Sequence, residues 1–473
     1  MALPDIKKQF SDWYQEVIYQ AELADQAPVR GTFVIRPYGY AIWELIRDQL
    51  DKRIKETGHQ NAAFPLFIPE SFLKKEAQHV EGFAPEVAVV TYAGGKKLEE
   101  PLIVRPTSET IIHYMFAKWI KSWRDLPLKI NQWANVVRWE MRPRAFLRTT
   151  EFFWQEGHTA HETAQEAQAE AELMWKEYIN LAQNFLAIPV FAGIKTEQEK
   201  FPGGERTYTF EAIMPDGKAI QMGTSHIISQ SFAKAFNMEF QDREGNLRYP
   251  YLTSWGATTR LVGALIMAHG DQKGLVLPPR VAPIQVVIVP ILKSGSDNKP
   301  ILDAVAKVQA DLVAQGIRVH IDDEEQKTPG AKFYKWELKG VPLRLELGAR
   351  DLEKGTVIAV DRLGIEKKQV QIDAVATEIP RILDTLQQEL FERAQKRVEE
   401  LGEKHNKLSD FGKRLSEPGG FYVVAGWCGK PECENKLKEY KGSIRCQLDS
   451  HDFKNCFGCD EASITDVVIA KSY

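Results

Sequence analysis

Apolar and polar positions divide the chain into successive patterns. Residues 5–24 set Phe10, Trp13, Val17 and Leu23 on an approximate helical stripe, predicting an amphipathic helix. Arg36-Pro37-Tyr38-Gly39 introduces a second helix over roughly 40–57, with Ile42, Leu45, Ile46, Leu50 and Ile54 along it and Gly58 as its stop. The prolines of Phe64–Pro69 keep that apolar segment out of a central strand, because proline cannot donate to a ladder. Helix and edge strand together suit a self-association surface or plain core. Leu102–Val104 reads as a strand, and Thr107 serves as N-cap of a helix over 110–122, with Glu109 in its first turn. Asn135–His161 has strand-like runs on both sides of Pro143, predicting an antiparallel hairpin with a long tip. Residues 161–186, rich in Ala and Glu, predict a solvated helix packed on one side.

Tyr208–Ile213 and Lys218–Met222 predict a hairpin turning at Pro215-Asp216-Gly217 and running into Gly223-Thr224-Ser225-His226. Ser254–Arg260 then places an arginine between a glycine turn and the apolar helix Leu261–His269. From Ile284 short strands and helices alternate, which predicts a separate α/β domain of about 100 residues. A long helix follows, with Leu383, Leu386, Leu390, Ala394, Val398 and Leu401 at three- and four-residue spacing, bridging to a part that begins near residue 405.

Composition narrows the class. A chain of 473 residues has room for two or three domains. A net charge of −4 excludes a globally basic nucleic-acid binder but leaves room for local basic patches. The longest apolar run, Val281–Leu292, holds two prolines and a glutamine, too interrupted for a membrane span, and the N-terminal MALPDIKKQF lacks a signal-peptide core. Five cysteines in so long a chain argue against a secreted disulfide scaffold, so a cytoplasmic enzyme is expected.

Candidate chemistry centres on the Asn135–His161 hairpin. Period-two alternation puts Arg138 and Glu140 on one face of the first arm, and Arg148, Phe152, Trp154, Glu156 and His158 on one face of the second. Guanidinium forks, a flat ring and a carboxylate suit a nucleoside triphosphate; the plainer alternative is an exposed ribbon with cross-strand ion pairs. At a loop–helix junction, Thr107 and Glu109 could hold the amine of a small substrate, or simply cap the helix. His226 beside Thr224 and Gln221 suits a binding rim, or an ordinary satisfied histidine. Cys428 and Cys433, then Cys456 and Cys459, form two close pairs separated by 22 residues, which fits a structural zinc tetrahedron, with Cys446 a spectator.

These residues resemble a known family. Arg138-x-Glu140 followed by Arg148 and Phe152 resembles motif 2 of class II aminoacyl-tRNA synthetases; Gly256 to Arg260 resembles a reduced motif 3, and the helix 40–57 with Pro65-Leu66-Phe67 resembles motif 1, the dimer element. RPTSET, RTTEFFWQEGHTAH, GTSH, TSWGATTRLVGALIMAHGD and KGLVLPPRVAP, in that order, resemble the prolyl-tRNA synthetases of archaeal and eukaryotic architecture over nearly the whole chain. The resemblance implies an α+β catalytic domain with a mixed, mostly antiparallel sheet over 1–280. An α/β anticodon-binding domain over 283–385 and a small zinc-stapled α/β domain over 386–473 would follow.

It further implies a homodimer that joins L-proline to tRNA(Pro) using ATP and magnesium. Thr107, Glu109, Arg138, Trp154, Glu156, His158 and His226 would form the proline site. Arg138, Glu140, Arg148, Thr149, Thr150, Phe152, Gln221, Thr224, Thr258 and Arg260 would hold ATP, with Arg138 and Arg260 carrying the catalytic charge. Glu337, Arg344 and Lys367 or Lys368 would read the anticodon. Only about 100 residues separate motifs 2 and 3, too few for a large editing insertion. The alternatives are a catalytically silent tRNA-binding relative, or a sibling enzyme for threonine, glycine, serine or histidine.

Overall fold

A computed structural model of the chain describes residues 2–73, 87–293, 295–364, 367–417 and 419–473. The strands that carry the site are Leu128–Val137 (β1), Glu151–His161 (β2), Phe191–Ile194 (β3), Arg206–Ile213 (β4), Ala219–Ser229 (β5) and Tyr251–Thr258 (β6). They pair antiparallel in the order β3-β4-β5-β6-β2-β1, and Gln60–Asn61 joins the β1 edge in parallel, so the sheet is mixed but mostly antiparallel. Helices Phe10–Gln20 (α1), Pro37–Glu56 (α2), Ala164–Asn180 and Arg260–His269 bury one face of it, around Trp13, Ile46, Tyr178, Trp255 and Leu265. Pro37 in its first turn and Gly58 just past its end, at φ 88°, delimit α2. Ala164–Asn180 opens on a reciprocal pair in which the Thr163 hydroxyl accepts from the Glu166 N–H and the Glu166 carboxylate accepts from the Thr163 N–H.

Four local expectations are corrected. Regular β1–β2 pairing ends at Val137 opposite Glu151, so Arg138 and Glu140 sit on the hairpin tip rather than the first arm, and Arg148 sits there rather than on the second. One further bond joins Arg138 N–H to Thr150 O at 2.8 Å before Pro143 and the left-handed Phe146 (φ 63°) turn the chain. Helix Glu109–Trp119 (α3) takes Ser108 as N-cap, while the Thr107 hydroxyl donates instead to the Glu109 carboxylate. Gly223–His226 lies inside β5, which continues to Ser229. Gly256 is a strand residue rather than a turn, paired with both Glu156 and Thr224.

The second part places Val286–Ile291 between Val319–Ile321 and Leu343–Gly348, all parallel, with Thr356–Asp361 and Lys367–Gln371 added antiparallel. It is tied to the first part by Arg362, whose guanidinium makes a two-pronged pair with Asp271 at 2.9 and 2.6 Å. Helix Val375–Leu401 then crosses back, burying Leu383, Leu386, Leu390, Ala394 and Val398. The strands that follow join the sheet of the first part. Ser443–Gln447 meets β3 at Gln447 opposite Ile194, and a single sheet of 11 strands results. At this seam the buried Glu211 carboxylate accepts from Lys195 Nζ at 2.7 Å and from Arg445 Nη2 at 3.0 Å.

Candidate active site

The face of the sheet opposite the helical core forms the floor of a cavity of about 600 Å³. Along β2, Phe152, Trp154, Glu156 and His158 point into it, as alternation requires. On β5, Gln221, Thr224 and His226 do so together, although 221 and 224 differ in parity. The pairing slips where Gln221 faces Glu211 and Gly223 faces Phe210, and the extra residue, Met222, brings the two sets onto one face. Gly256 keeps the centre of the floor free of side chain. Thr107 and Glu109 enter from the start of α3, Arg138, Glu140, Arg148 and Thr149 from the hairpin tip, and Thr258 and Arg260 from the end of β6.

Thr150 alone among the expected substrate residues is not on the cavity wall. It is buried at 2% exposure behind Gly31, where a Cβ would lie 2.2 Å from its Oγ1. Its backbone anchors the tip, accepting from Arg138 and donating to the Gly31 carbonyl at 2.8 Å.

Among the described residues Arg138 and Arg260 have no carboxylate within ion-pair range, while Arg148 has Glu140. Arg138 donates from Nε to the Pro106 carbonyl at 2.9 Å, and its guanidinium lies 5.7 Å from the Phe152 ring centre and 5.4 Å from that of Trp154. Burial lowers its pKa, outweighing Glu109 and Glu156. Arg260 reaches only the carbonyls of Leu147 and Gln221, at 3.4 and 3.2 Å. Burial, then repulsion from Arg148 and Arg138, brings its pKa down to about 10. Arg148 donates to the main-chain oxygen of Tyr473 at 3.1 Å and lies 3.8 Å from the Glu140 carboxylate. Three guanidinium groups around one cavity make a site for a polyanion.

The opposite end is acidic. Glu156 accepts from Gln132 Nε2 at 2.7 Å and lies 3.1 Å from His158 Nε2. Burial opposes charge on both, yet their bond wins, lowering the pKa of Glu156 and raising that of His158. His226 is held at both ring nitrogens, 2.9 Å from the hydroxyls of Thr207 and Thr224. Burial and then His158 push its pKa down to about 3, so it stays neutral.

Sequence reasoning missed Ser254, Thr207 and the Glu199–Pro202 segment, which close the wall beside His226. Thr207 and Ser254 face His226 across the ladder, so they were available once the register was known. Phe201 packs 4.7 Å from the His226 ring out of a polar loop that carries no pattern.

The remaining candidates lie elsewhere. Glu337 pairs with Lys273 at 2.8 Å, Arg344 with Glu346 at 2.9 Å and 4.0 Å from the Phe333 ring, and Lys368 with Glu378 at 3.3 Å. Lys367 stands exposed at the start of its strand. Phe333 and Glu337 are one turn apart on helix Pro329–Leu338. The sulfurs of Cys428, Cys433, Cys456 and Cys459 all lie within 4.8 Å of one another, with Cys428 3.8 Å from Cys433 and 3.7 Å from Cys459. A tetrahedral ion with thiolate bonds of about 2.3 Å separates its sulfurs by about 3.8 Å, so the group can hold a metal. Cys446 is buried on its own strand against Gly193, outside this group.

Comparison with known proteins bears on the whole chain. Models of the tRNA synthetase class II core domain (G, H, P, S and T), the anticodon binding domain and the prolyl-tRNA synthetase C-terminal domain match residues 92–269, 285–382 and 408–473. Proline–tRNA ligase 2 of Clostridioides difficile is 53% identical over 98% of this chain and 96% of its own length. The proline–tRNA ligase of Chloroherpeton thalassium is 51% identical over 98% of each. Prolyl-tRNA synthetase from Cryptosporidium parvum, complexed with halofuginone and AMPPNP, superposes with a TM-score of 0.95 at 42% identity, covering 100% of this chain and 97% of the other. Its complex with L-proline and AMP gives 0.93 at 40% identity, covering 100% and 99%. The chain therefore belongs to the prolyl-tRNA synthetases, class II aminoacyl-tRNA synthetases of the proline–tRNA ligase family.

Proposed function

We propose that the chain activates L-proline with ATP and transfers it to the 3′ end of tRNA(Pro). The observation that carries this reading is one cavity with a cationic end built from Arg138, Arg148 and Arg260 and a carboxylate end built from Glu109 and Glu156. A triphosphate and a small amino acid, opposite in charge where they meet these walls, fill the two ends. Arg138 stands between them and grips the proline carboxylate and the α-phosphate together. Thr107 and Glu109 take the imino group; Trp154, Glu156, His158 and His226 shape the pocket around the ring. Phe152 stacks on adenine, Glu140 accepts from its amine, and Gln221, Thr224, Thr258 and Thr149 line the nucleotide. Arg260 holds the γ-phosphate.

No protein nucleophile is required. The proline carboxylate attacks the α-phosphorus in line, so catalysis is positioning plus stabilisation of charge on the phosphoryl oxygens. Magnesium, which prefers oxygen donors such as Glu140 and the Gln221 amide, would neutralise phosphate charge there. Zinc in the four-cysteine group would be structural, since four thiolates leave no position open for chemistry. The second domain, with Glu337, Arg344 and Lys367 or Lys368, reads the anticodon. We assign domain limits of 1–280, 283–385 and 386–473, a homodimer through α2 and Phe64–Pro69, and a cytoplasmic location. Phe67, at 48% exposure, is an apolar side chain that a partner would cover.

A pocket that selects a small apolar ring separates neighbours weakly, since a methylene is worth only ~1–3 kcal/mol. Alanine and cysteine should also be activated, and the isolated chain should not hydrolyse the mischarged tRNA. The deciding experiment is amino-acid-dependent exchange of pyrophosphate into ATP across a panel. Proline should dominate and Arg138→Ala should abolish the signal; exchange with another amino acid alone, or none at all, overturns the reading.

A further inference from the structure

Behind the acidic end lies a histidine that the substrate site does not use. His113 is on α3, one turn after Glu109, with 0% exposure. Neither of its ring nitrogens has a hydrogen-bond partner among the described residues. The rings of Phe116, Phe232 and Phe236 surround it at 6.2, 5.2 and 6.3 Å. The fourth neighbour is the His158 ring, 5.7 Å away and nearly perpendicular at 81°. His158 uses Nε2 on Glu156, and its Nδ1 is likewise buried without a partner. So is the hydroxyl of Thr110, three residues before His113 and on the same face of α3.

Leaving such buried polar groups unsatisfied among phenyl rings is costly. A bond between the two imidazoles would satisfy one nitrogen on each. A neutral ring offers one acceptor and one donor, while a ring whose Nε2–H serves Glu156 still needs an acceptor when Nδ1 also carries a proton. A small rotation, or one bridging water that Thr110 could also bind, would join them.

We propose that His113 is a positioning residue for this site: it accepts the Nδ1 proton of His158 and so fixes that ring with its Nε2–H on Glu156. The proposal rests on the proline-site reading above. Burial, then the charge of His158, lowers the pKa of His113 far below the usual range, which keeps it neutral and able to accept. Around His158, the titratable groups are Glu156 on its own strand, Glu109 and His113 on α3, and His226 on β5; Arg105 and Arg138 act on Glu156. With His158 protonated, the pair with Glu156 is neutral, and Glu109 is left as the carboxylate that meets a cationic imino group.

The test compares His113→Phe with His113→Gln, which keeps a donor and an acceptor. In the full-length protein carrying labelled histidine, with His158→Gln to assign the signal, His158 should titrate at lower pH in the Phe variant and near its parent value in the Gln variant. In the exchange assay His113→Phe should raise KM for proline roughly tenfold, leave KM for ATP within about twofold, and move the pH profile of kcat/KM for proline in step with the His158 signal. His113→Gln should restore all three. An unchanged His158 titration in His113→Phe, or a Gln variant as impaired as the Phe variant, overturns the proposal. The titration needs no substrate, so it stands apart from the functional reading, which fails instead if the parent shows no proline-dependent exchange.

Discussion

Replacing Arg260 by methionine should make the protein more stable and nearly inactive. Among the described residues the guanidinium has no carboxylate partner, and its pKa falls from 12.5 to about 10. That difference corresponds to on the order of 3 kcal/mol favouring deprotonation in the folded state. Because the folded chain binds this proton less tightly than the unfolded one, the penalty is in full force at neutral pH. It fades only as the pH rises from about 10 toward the unfolded value. Against this stand two long hydrogen bonds to carbonyls, at 3.4 and 3.2 Å, each contributing about 1 kcal/mol or less. Methionine fills a similar volume without charge, so a net gain of about 1–2 kcal/mol is expected. Transition-state stabilisation at the phosphates should fall by roughly 3–4 kcal/mol, or about 10²–10³ in rate. Urea unfolding of the nucleotide-free protein reads the first effect, and proline-dependent exchange at saturating ATP the second. A variant that loses stability yet exchanges within about threefold of the parent would show that Arg260 is a structural tie and not a phosphate ligand.

Further outcomes follow from other residues. Phe152→Ala should weaken ATP binding by about 1–3 kcal/mol, raising KM for ATP roughly 5- to 150-fold, with KM for proline little changed; equal effects on both substrates would argue against an adenine stack. Elemental analysis is expected to find one metal ion per chain, and Cys459→Ser should lower that content and reduce Tm in a thermal melt; a parent without metal would refute the zinc reading. Glu211→Gln should cost about 3–5 kcal/mol in urea unfolding, because Lys195 and Arg445 would be left buried without their anion. Burial opposes charge on Glu211, but Lys195 and then Arg445 prevail and lower its pKa. Its contribution is therefore complete above the unfolded value near 4.5 and disappears as the pH drops through the lower folded value, so acid should unfold the parent there. Thr150→Val should leave KM for ATP within about twofold, since the side chain faces Gly31; a large rise would return Thr150 to the nucleotide site.

The parts that were legible in the sequence depend on patterns that survive without tertiary context. Period-two alternation correctly put Phe152, Trp154, Glu156 and His158 on one face, because β2 pairs with both neighbours without a register shift. Cysteine spacing brought out the four-sulfur group for a similar reason, each pair being close along the chain. The failures lie where pairing breaks. Alternation would separate Gln221 from Thr224, and only the slip at Met222 reunites them. The family resemblance places Thr150 in the nucleotide site, but the anchoring of the tip to Gly31, 119 positions earlier in the chain, turns it away. Glycine at 256 suggested a turn by composition, whereas its use is to leave floor space in a strand. His113 carried no signal at all: it occupies an ordinary helix position and gains meaning only from the ring beneath it.

The seam at Gln447 and Ile194 has a consequence for how the chain is made. The hairpins of the catalytic sheet join segments near in sequence, but Lys195 meets the Arg445 carbonyl across 250 residues. Contacts of such separation form late. Until residues 443–447 are synthesised, the outer rim of β3 stays open and Glu211 waits for its second cation, so the catalytic half is exposed to wrong pairing through that stretch of synthesis.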